Sequence, residues 1–318
     1  MLITLYNLKN YIMYDCAILG GGPAGVSAGV YASRKQLKTI FITKDFLSQS
    51  TVSEGIENWI GDINVPGLKL AQKFEEHLRA YAGDFVDIKT GEWIEKVTKI
   101  DGGFEIKTDT ETYRAKSVLV ATGSDRQQLP VPGAKEFEHK GLTYCASCDG
   151  PVFAGQDVAV IGGGNAGFES AAQLLAYCKS VTLLNRGETF RADPKTVETV
   201  TKDPKMNTVV NTEILEVHGE KFVNGLSYKD TETGETQKLD VTGIFVEIGS
   251  VPTTEYVKEL VDLDDYNRVK IDPWNQRASV EGIWSAGDCT NILYHQNNIA
   301  AGDGVRALED IYVWLKTK

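Results

Sequence analysis

Tyr14–Leu19 reads YDCAIL and runs straight into GGGPAG at Gly20–Gly25; Asp157–Ile161 reads DVAVI and runs straight into GGGNAG at Gly162–Gly167. Each apolar run is short and uninterrupted, as expected of a parallel strand buried on both faces. Helices are predicted after the two glycine clusters, at Val26–Arg34 and Phe168–Tyr177. Further strands follow at Lys38–Thr43 (KTIFIT) and Ser180–Leu184 (SVTLL). Two copies of strand–turn–helix–strand in one chain predict an α/β fold of two Rossmann-like dinucleotide-binding domains, of the three-layer ββα type, related by duplication.

The glycines have separate tasks. Gly20 and Gly162 permit the tight turn, Gly22 and Gly164 let backbone N–H groups approach a pyrophosphate, and Gly25 and Gly167 pack helix on strand. Pro23 and Ala24, like Asn165 and Ala166, open the helix whose N-terminus would receive the anion. One GxGxxG is weak evidence, because glycine-rich turns arise for other reasons. Two of them, each between a strand and a helix, are strong evidence.

The repeat continues. Trp93–Ile100, a turn at Asp101–Gly103, Phe104–Thr108 and Tyr113–Val120 read as an antiparallel meander that ends in Ala121-Thr122-Gly123. A similar run through Thr208–Val217, Phe222–Lys229 and Leu239–Ile248 ends at Gly249. Gly282–Asp288 (GIWSAGD) reads as one more buried strand, returned to the first domain. Domains are therefore expected at 1–125 with 254–318, discontinuous, and at 126–253.

At 318 residues the chain is long for one core. Hydrophobic residues at 42% and charged residues at 24% place it among ordinary globular proteins. A net charge of −11 argues against a nucleic-acid partner, and with no run of 18 apolar residues no membrane span is expected. The opening MLITLYNLKNYIM has neither a clean apolar h-region nor a small-residue cleavage site. A cytoplasmic protein with a dispensable N-terminal extension is expected, Met13 being an alternative start.

Of five cysteines, Cys16, Cys178 and Cys289 are scattered and read as small buried residues. Cys145 and Cys148 form a CxxC. A structural zinc needs four ligands and no second pair completes one, so redox chemistry is the better reading and no metal is expected. A CxxC at a helix start lowers one thiol's pKa. Asp149 next door reads as its general acid–base partner, as a helix N-terminal cap, or as both.

The two nucleotides differ in their acidic partner. Asp45, about 20 residues after Gly25, would accept hydrogen bonds from a ribose with a free 2′-hydroxyl, which suits FAD. The matching place after Gly167 holds Asn185, then Arg186 and, further on, Arg191. A missing acid and two guanidiniums suit the 2′-phosphate of NADPH. Gly187 adds no charge, Glu188 would repel phosphate, and two solvated surface arginines are the alternative.

CASCDG at Cys145–Gly150, placed between GGGPAG and GGGNAG and followed by SAGDC, resembles the low-molecular-weight thioredoxin reductases over nearly the whole chain from Met13. The C-terminal part of the alkyl hydroperoxide reductase flavoprotein subunit is similar too, and no counterpart of that protein's N-terminal thioredoxin-like domain is expected here. The resemblance implies that Cys148 faces the flavin, that Cys145 attacks a partner's disulfide and that Asp149 is the acid–base residue. It implies that Gln49 and Asn58 line FAD, that Asp288 of Ala286-Gly287-Asp288 bonds the ribityl chain, and that His295 and Gln296 close over the isoalloxazine. Ala300–Gly302 would bring a helix N-terminus to the flavin's pyrimidine edge. A homodimer, domains that rotate between two states, and a thioredoxin-like protein partner are also implied.

Three departures from that family's pattern stand out. Leu47 and Ser48 replace paired glycines before Gln49, so the FAD loop is expected to have its own shape. Asn185-Arg186-Gly187 replaces His-Arg-Arg, which leaves NADPH, NADH and reduced ferredoxin open as donors. His295 stands where Arg or Lys is usual. Besides thioredoxin, a glutaredoxin- or peroxiredoxin-type acceptor fits the same chemistry. A flavin-dependent dithiol oxidase or a redox sensor would leave the second fingerprint without a use.

Overall fold

The computed structural model describes residues 12–53 and 55–318; most of the expected N-terminal extension lies outside them. The chain forms two compact units. One comprises the described residues up to Asp125 together with Val251–Lys318, and the other is Arg126–Ser250.

In the first unit the chain forms β1 (Met13–Leu19), α1 (Pro23–Arg34), β2 (Thr39–Thr43), α2 (Gly67–Ala82), β3 (Val86–Thr90), β4 (Ile94–Ile100), β5 (Gly103–Thr108) and β6 (Thr112–Val120). The sheet order is β3-β2-β1-β6-β5-β4, with Ile283–Ser285 also paired to β6. β1 is parallel to both neighbours, Leu19 lying opposite Ile42 and Val120. β6 is long enough to change partner. Its Thr112–Ala115 end is antiparallel to β5, while Val118–Val120 runs parallel to Ile283–Ser285. In this way GIWS completes the first sheet.

Burial explains the apolar runs. Every residue of β2 is buried, as are the last four of β1. Phe41, Leu78 and Trp284 belong to the core on one face of the sheet; Ile40, Ile106 and Tyr256 belong to the other. The C-terminal helix Asn297–Thr317 lies against α1 so closely that a side chain at Gly304 would strike the carbonyl of Ala24. Ser27 Oγ donates to Ala301 O at 2.8 Å across the same contact.

In the second unit the parallel strands Met206–Val209, Ser180–Leu184, Asp157–Ile161, Gly243–Val246 and Leu142–Thr143 lie side by side in that order. Thr212–Gly219, Val223–Asp230 and Thr236–Leu239 form a separate antiparallel sheet.

Some element bounds need correction. Both fingerprint helices start inside the glycine motif, at Pro23 and Asn165, because Gly22 and Gly164 take the extended N-cap conformation. The second helix ends at Leu174 and not at Tyr177, whose N–H closes a turn onto Leu174 O at 3.0 Å. The run Thr208–Val217 is two strands. Asn211 has φ 55° between them, and Thr212 N then returns to Asn185 O at 3.0 Å. Leu239–Ile248 likewise divides between the antiparallel sheet and the parallel strand Gly243–Val246. Among the described residues no helix is long and apolar enough to cross a membrane.

Candidate functional site

The first glycine turn is closed toward the sheet and open on one side. A Cβ on Gly20 would strike Ala121 O, one on Gly21 would strike Asp45 O, and one on Gly25 would strike Gly20 O. Gly22, the N-cap of α1, has only the Ser48 Cβ nearby, at 4.0 Å. Its open side belongs to a cavity of about 280 Å³. Gly20, Gly22, Pro23 and Ala24 form one wall of that cavity. Asp45, Gln49, Ala121, Thr122, Gly123, Gly287, Asp288 and Ala300 form the rest of the expected set. Gly25 is not on the wall; its contact with Gly20 is the helix-on-strand packing expected of the third glycine.

Local hydrogen bonds hold these positions. Asp45 Oδ1 accepts from Leu47 N at 2.9 Å. Gln49 Nε2 donates to the carbonyl of Ser124, and at 3.0 Å to its hydroxyl. Thr122 Oγ1 donates to Thr253 O at 2.6 Å and lies 2.9 Å from the Tyr256 hydroxyl. The Leu47–Ser48 loop has no left-handed residue and leads into a turn at Gln49–Val52, so it needs no paired glycine. Thr43, Ser48, Trp93 and Tyr256 also line the cavity and were not foreseen. They sit at a strand end, in loops and, for Tyr256, in the 3-10 turn Glu255–Val257, where no spacing rule marks them.

Asn58, His295 and Gln296 are not on the cavity wall. Asn58 Nδ2 donates to Gln296 Oε1 at 3.2 Å, and Asn298 Nδ2 donates to Asn58 O at 2.7 Å. His295 Nε2 is buried with no hydrogen-bond partner among the described residues. A cradle shaped by absent Cβ atoms at the N-terminus of a 12-residue helix fits the pyrophosphate of a dinucleotide.

The second turn repeats the first closely. A Cβ on Gly162 would strike Glu247 O, one on Gly163 the Asn185 side chain, and one on Gly167 the carbonyl of Gly162; Gly164 has open space. Asn165 Oδ1 accepts from Asp193 N at 2.8 Å, and Ala166 follows it in the first helical turn. Leu184 pairs with Ile161 as Ile42 pairs with Leu19, so Asp45 is matched by Gly187, against the expectation from spacing, and where Thr43 stands in the first unit the second has Asn185. Its amide donates to Gly187 O at 2.8 Å and Thr189 O at 3.0 Å, shaping the loop from within. Arg186 and Arg191 are exposed, as are Gly187 and Glu188. Gly249, φ 111°, follows Glu247 and accepts from Gln127 N at 3.0 Å.

Cys145 and Cys148 are joined in a disulfide. Cys145 is the extended N-cap of a single helical turn, Ala146–Asp149, and its carbonyl accepts from Asp149 N at 3.1 Å. A four-residue helix contributes little macrodipole, so the free N–H groups of that turn are what can favour a thiolate. Asp149 makes no capping bond; its carboxylate instead accepts from the Thr143 hydroxyl. The remaining cysteines are buried and free, and burial pushes the Cys16 thiol up to about 12.

Glu247 was not singled out by its sequence. It follows the strand Gly243–Val246, is half-buried, and accepts from Ser170 Oγ at 2.6 Å. Burial pushes its carboxyl up to about 7, with Glu169 adding to the rise and the Ser170 hydrogen bond and Arg126 opposing it.

The sequence profile of the pyridine nucleotide-disulphide oxidoreductases matches residues 14–304. The chain belongs to the pyridine nucleotide-disulphide oxidoreductase family. Membership makes it an oxidoreductase and implies use of a flavin and a pyridine nucleotide. Among curated members, the chain is 37% identical over 295 residues to an NADH dehydrogenase of Bacillus subtilis, covering 92% of this chain and 57% of that one. It is 37% identical over 298 residues to an alkyl hydroperoxide reductase component of Pseudomonas putida, covering 92% and 56%. The chain therefore spans a little over half the length of these relatives. Among solved structures, the thioredoxin reductase of Streptococcus pyogenes superposes with a TM-score of 0.87 at 30% identity, covering 96% of this chain and 99% of that one. The expected α/β dinucleotide-binding fold and the family resemblance are both borne out.

Proposed function

We propose that this chain is an FAD-dependent disulfide reductase that uses NADPH to reduce a thioredoxin-like protein through Cys145 and Cys148. The observation that carries the reading is the disulfide itself, set beside a Thr143-held Asp149 in the unit that also bears GGGNAG. The first unit, with its cradle at Gly20–Gly25, would hold FAD, and the second would hold the pyridine nucleotide. When bound, the flavin supplies a two-electron relay between nicotinamide and disulfide.

The chain's own residues do the rest. Asp45 would accept from the adenosine ribose, and Asp288 and Gln49 from the cavity wall would orient the remainder of the dinucleotide. Once Cys145 and Cys148 are reduced, the Cys145 thiolate attacks a partner's disulfide and displaces one partner sulfur as thiolate. Cys148 then attacks the mixed disulfide, which re-forms the Cys145–Cys148 bond and frees the second partner thiol. Two electrons and two protons pass to the partner. Asp149, adjacent to Cys148, takes up the thiol proton and returns one to a leaving sulfur.

NADPH is favoured over NADH because Gly187, which carries no acid, stands where Asp45 stands in the first unit, and Arg186 and Arg191 are exposed on the same loop. NADH is the second reading, supported by the name of the B. subtilis relative and by Glu188 between the arginines. A cytoplasmic homodimer completes the proposal. Purified protein should be yellow and should reduce thioredoxin with NADPH. Folded protein that neither contains nor takes up flavin would overturn the reading.

A further inference from the structure

The duplication supplies an internal control for one position. At the turn of the first unit, Gly20 packs on the carbonyl of Ala121; at the turn of the second, Gly162 packs on the carbonyl of Glu247. Ala121 and Glu247 each directly follow a parallel strand next to the fingerprint strand, β6 beside β1 and Gly243–Val246 beside Asp157–Ile161. These are the strand ends at which the sheet order reverses direction, and a ligand in such folds lies in the crevice outside them. Ala121 does line the cavity of the first unit. In the second unit the equivalent place carries a carboxyl, and nothing in the disulfide chemistry above uses it.

From this equivalence we infer that Glu247 contacts the bound pyridine nucleotide and that its charge governs how tightly the nucleotide is held. The inference rests on the second fingerprint being the pyridine nucleotide site. The carboxyl is held in place by Ser170 Oγ, from the helix Asn165–Leu174 that begins at the same turn. The charged groups facing it are Glu169 on that helix, which disfavours its ionisation, and Arg126 at the start of the unit, which favours it. With burial outweighing Arg126, the carboxyl changes charge near neutral pH. Below that pH it is a neutral hydrogen-bonding group beside the fingerprint. Above it, an anion stands beside a nucleotide whose pyrophosphate is also anionic. By linkage, binding then draws a proton onto Glu247.

The test is equilibrium binding to the flavin-loaded protein by isothermal titration calorimetry, with NADP⁺ and NAD⁺ in parallel from pH 6 to pH 8.5. Wild type should weaken by about tenfold toward the alkaline end for whichever nucleotide binds, beyond any titration of the nucleotide itself. At pH 7.5, buffers of different ionisation enthalpy should show proton uptake on binding. Glu247→Gln keeps a partner for Ser170, and should be flat within about twofold once the nucleotide's own titration is common to both proteins. Its proton uptake should disappear. Equal pH dependence and equal proton uptake in wild type and Glu247→Gln, with the nucleotide still bound, would overturn the inference alone. If neither nucleotide binds wild type at any pH, the nucleotide reading of the second unit fails, and this inference with it.

Discussion

Gly25 packs its α-carbon against the carbonyl oxygen of Gly20, and no side chain fits between them. Gly167 stands in the same relation to Gly162. Gly25→Ala should therefore destabilise the first unit by about 1–3 kcal/mol and reduce flavin retention. Gly167→Ala should leave the flavin content intact while weakening nucleotide binding. Flavin-to-protein ratio and nucleotide titration separate the two; identical losses in both variants would contradict the division of labour between the units.

Arg186 lies exposed directly after Asn185, whose amide is already used within the loop. A charge-assisted hydrogen bond to a 2′-phosphate is worth about 1.5–3 kcal/mol. Arg186→Ala should accordingly lower kcat/KM for NADPH by about ten- to a hundredfold and leave that for NADH nearly unchanged. Equal losses for both donors would favour NADH, and no turnover with either would favour ferredoxin.

Glu247 also bears on stability. Its folded pKa, about 7, is raised above the ordinary carboxyl value, so the folded state binds more protons than the unfolded state between about pH 4.5 and pH 7. The contribution of this group is thus greatest below that window and declines as pH rises through it. The loss is at most about 3–4 kcal/mol, less whatever solvent screening removes at this partly exposed site. Urea unfolding across the window should show a shallower decline for Glu247→Gln than for wild type.

The strands that flank the two glycine turns were legible because buried parallel strands are continuous apolar runs, and Asp157–Ile161 and Ser180–Leu184 have the bounds their sequence suggests; the short strands Val86–Thr90 and Leu142–Thr143 of the same sheets were not. Where one apolar pattern crosses a turn, periodicity fails. Thr208–Val217 looks unbroken until Asn211 adopts a left-handed conformation and sends the chain into a second sheet. The helices Gly67–Ala82 and Pro194–Val200 carry no glycine fingerprint and were not foreseen. On the first cavity, the fingerprint glycines and Asp45 follow from motif spacing and Asp288 from the family resemblance, whereas Trp93 and Tyr256 reach the wall only through tertiary packing. Glu247 could have been found by aligning the two repeats, since Val120-Ala121-Thr122-Gly123 and Val246-Glu247-Ile248-Gly249 occupy matching places.

Asp149 takes the Thr143 hydroxyl in place of a capping bond. Asp149→Asn should preserve the disulfide and the fold while slowing protein-disulfide reduction by about 10²–10⁴-fold, the usual range for loss of an acid–base group. Thr143→Val should give a smaller loss in the same direction. An Asp149→Asn variant with unchanged kcat would remove Asp149 from the proton path.

The most direct measurement is anaerobic reduction of oxidised thioredoxin by NADPH with wild-type protein and with Cys145→Ser, following thioredoxin thiols and flavin absorbance together. Wild type should produce two thioredoxin thiols per NADPH consumed. Cys145→Ser should still lose its flavin absorbance on addition of NADPH and should produce no thioredoxin thiols. Thiol production by Cys145→Ser at the wild-type rate would contradict a path through the Cys145–Cys148 pair.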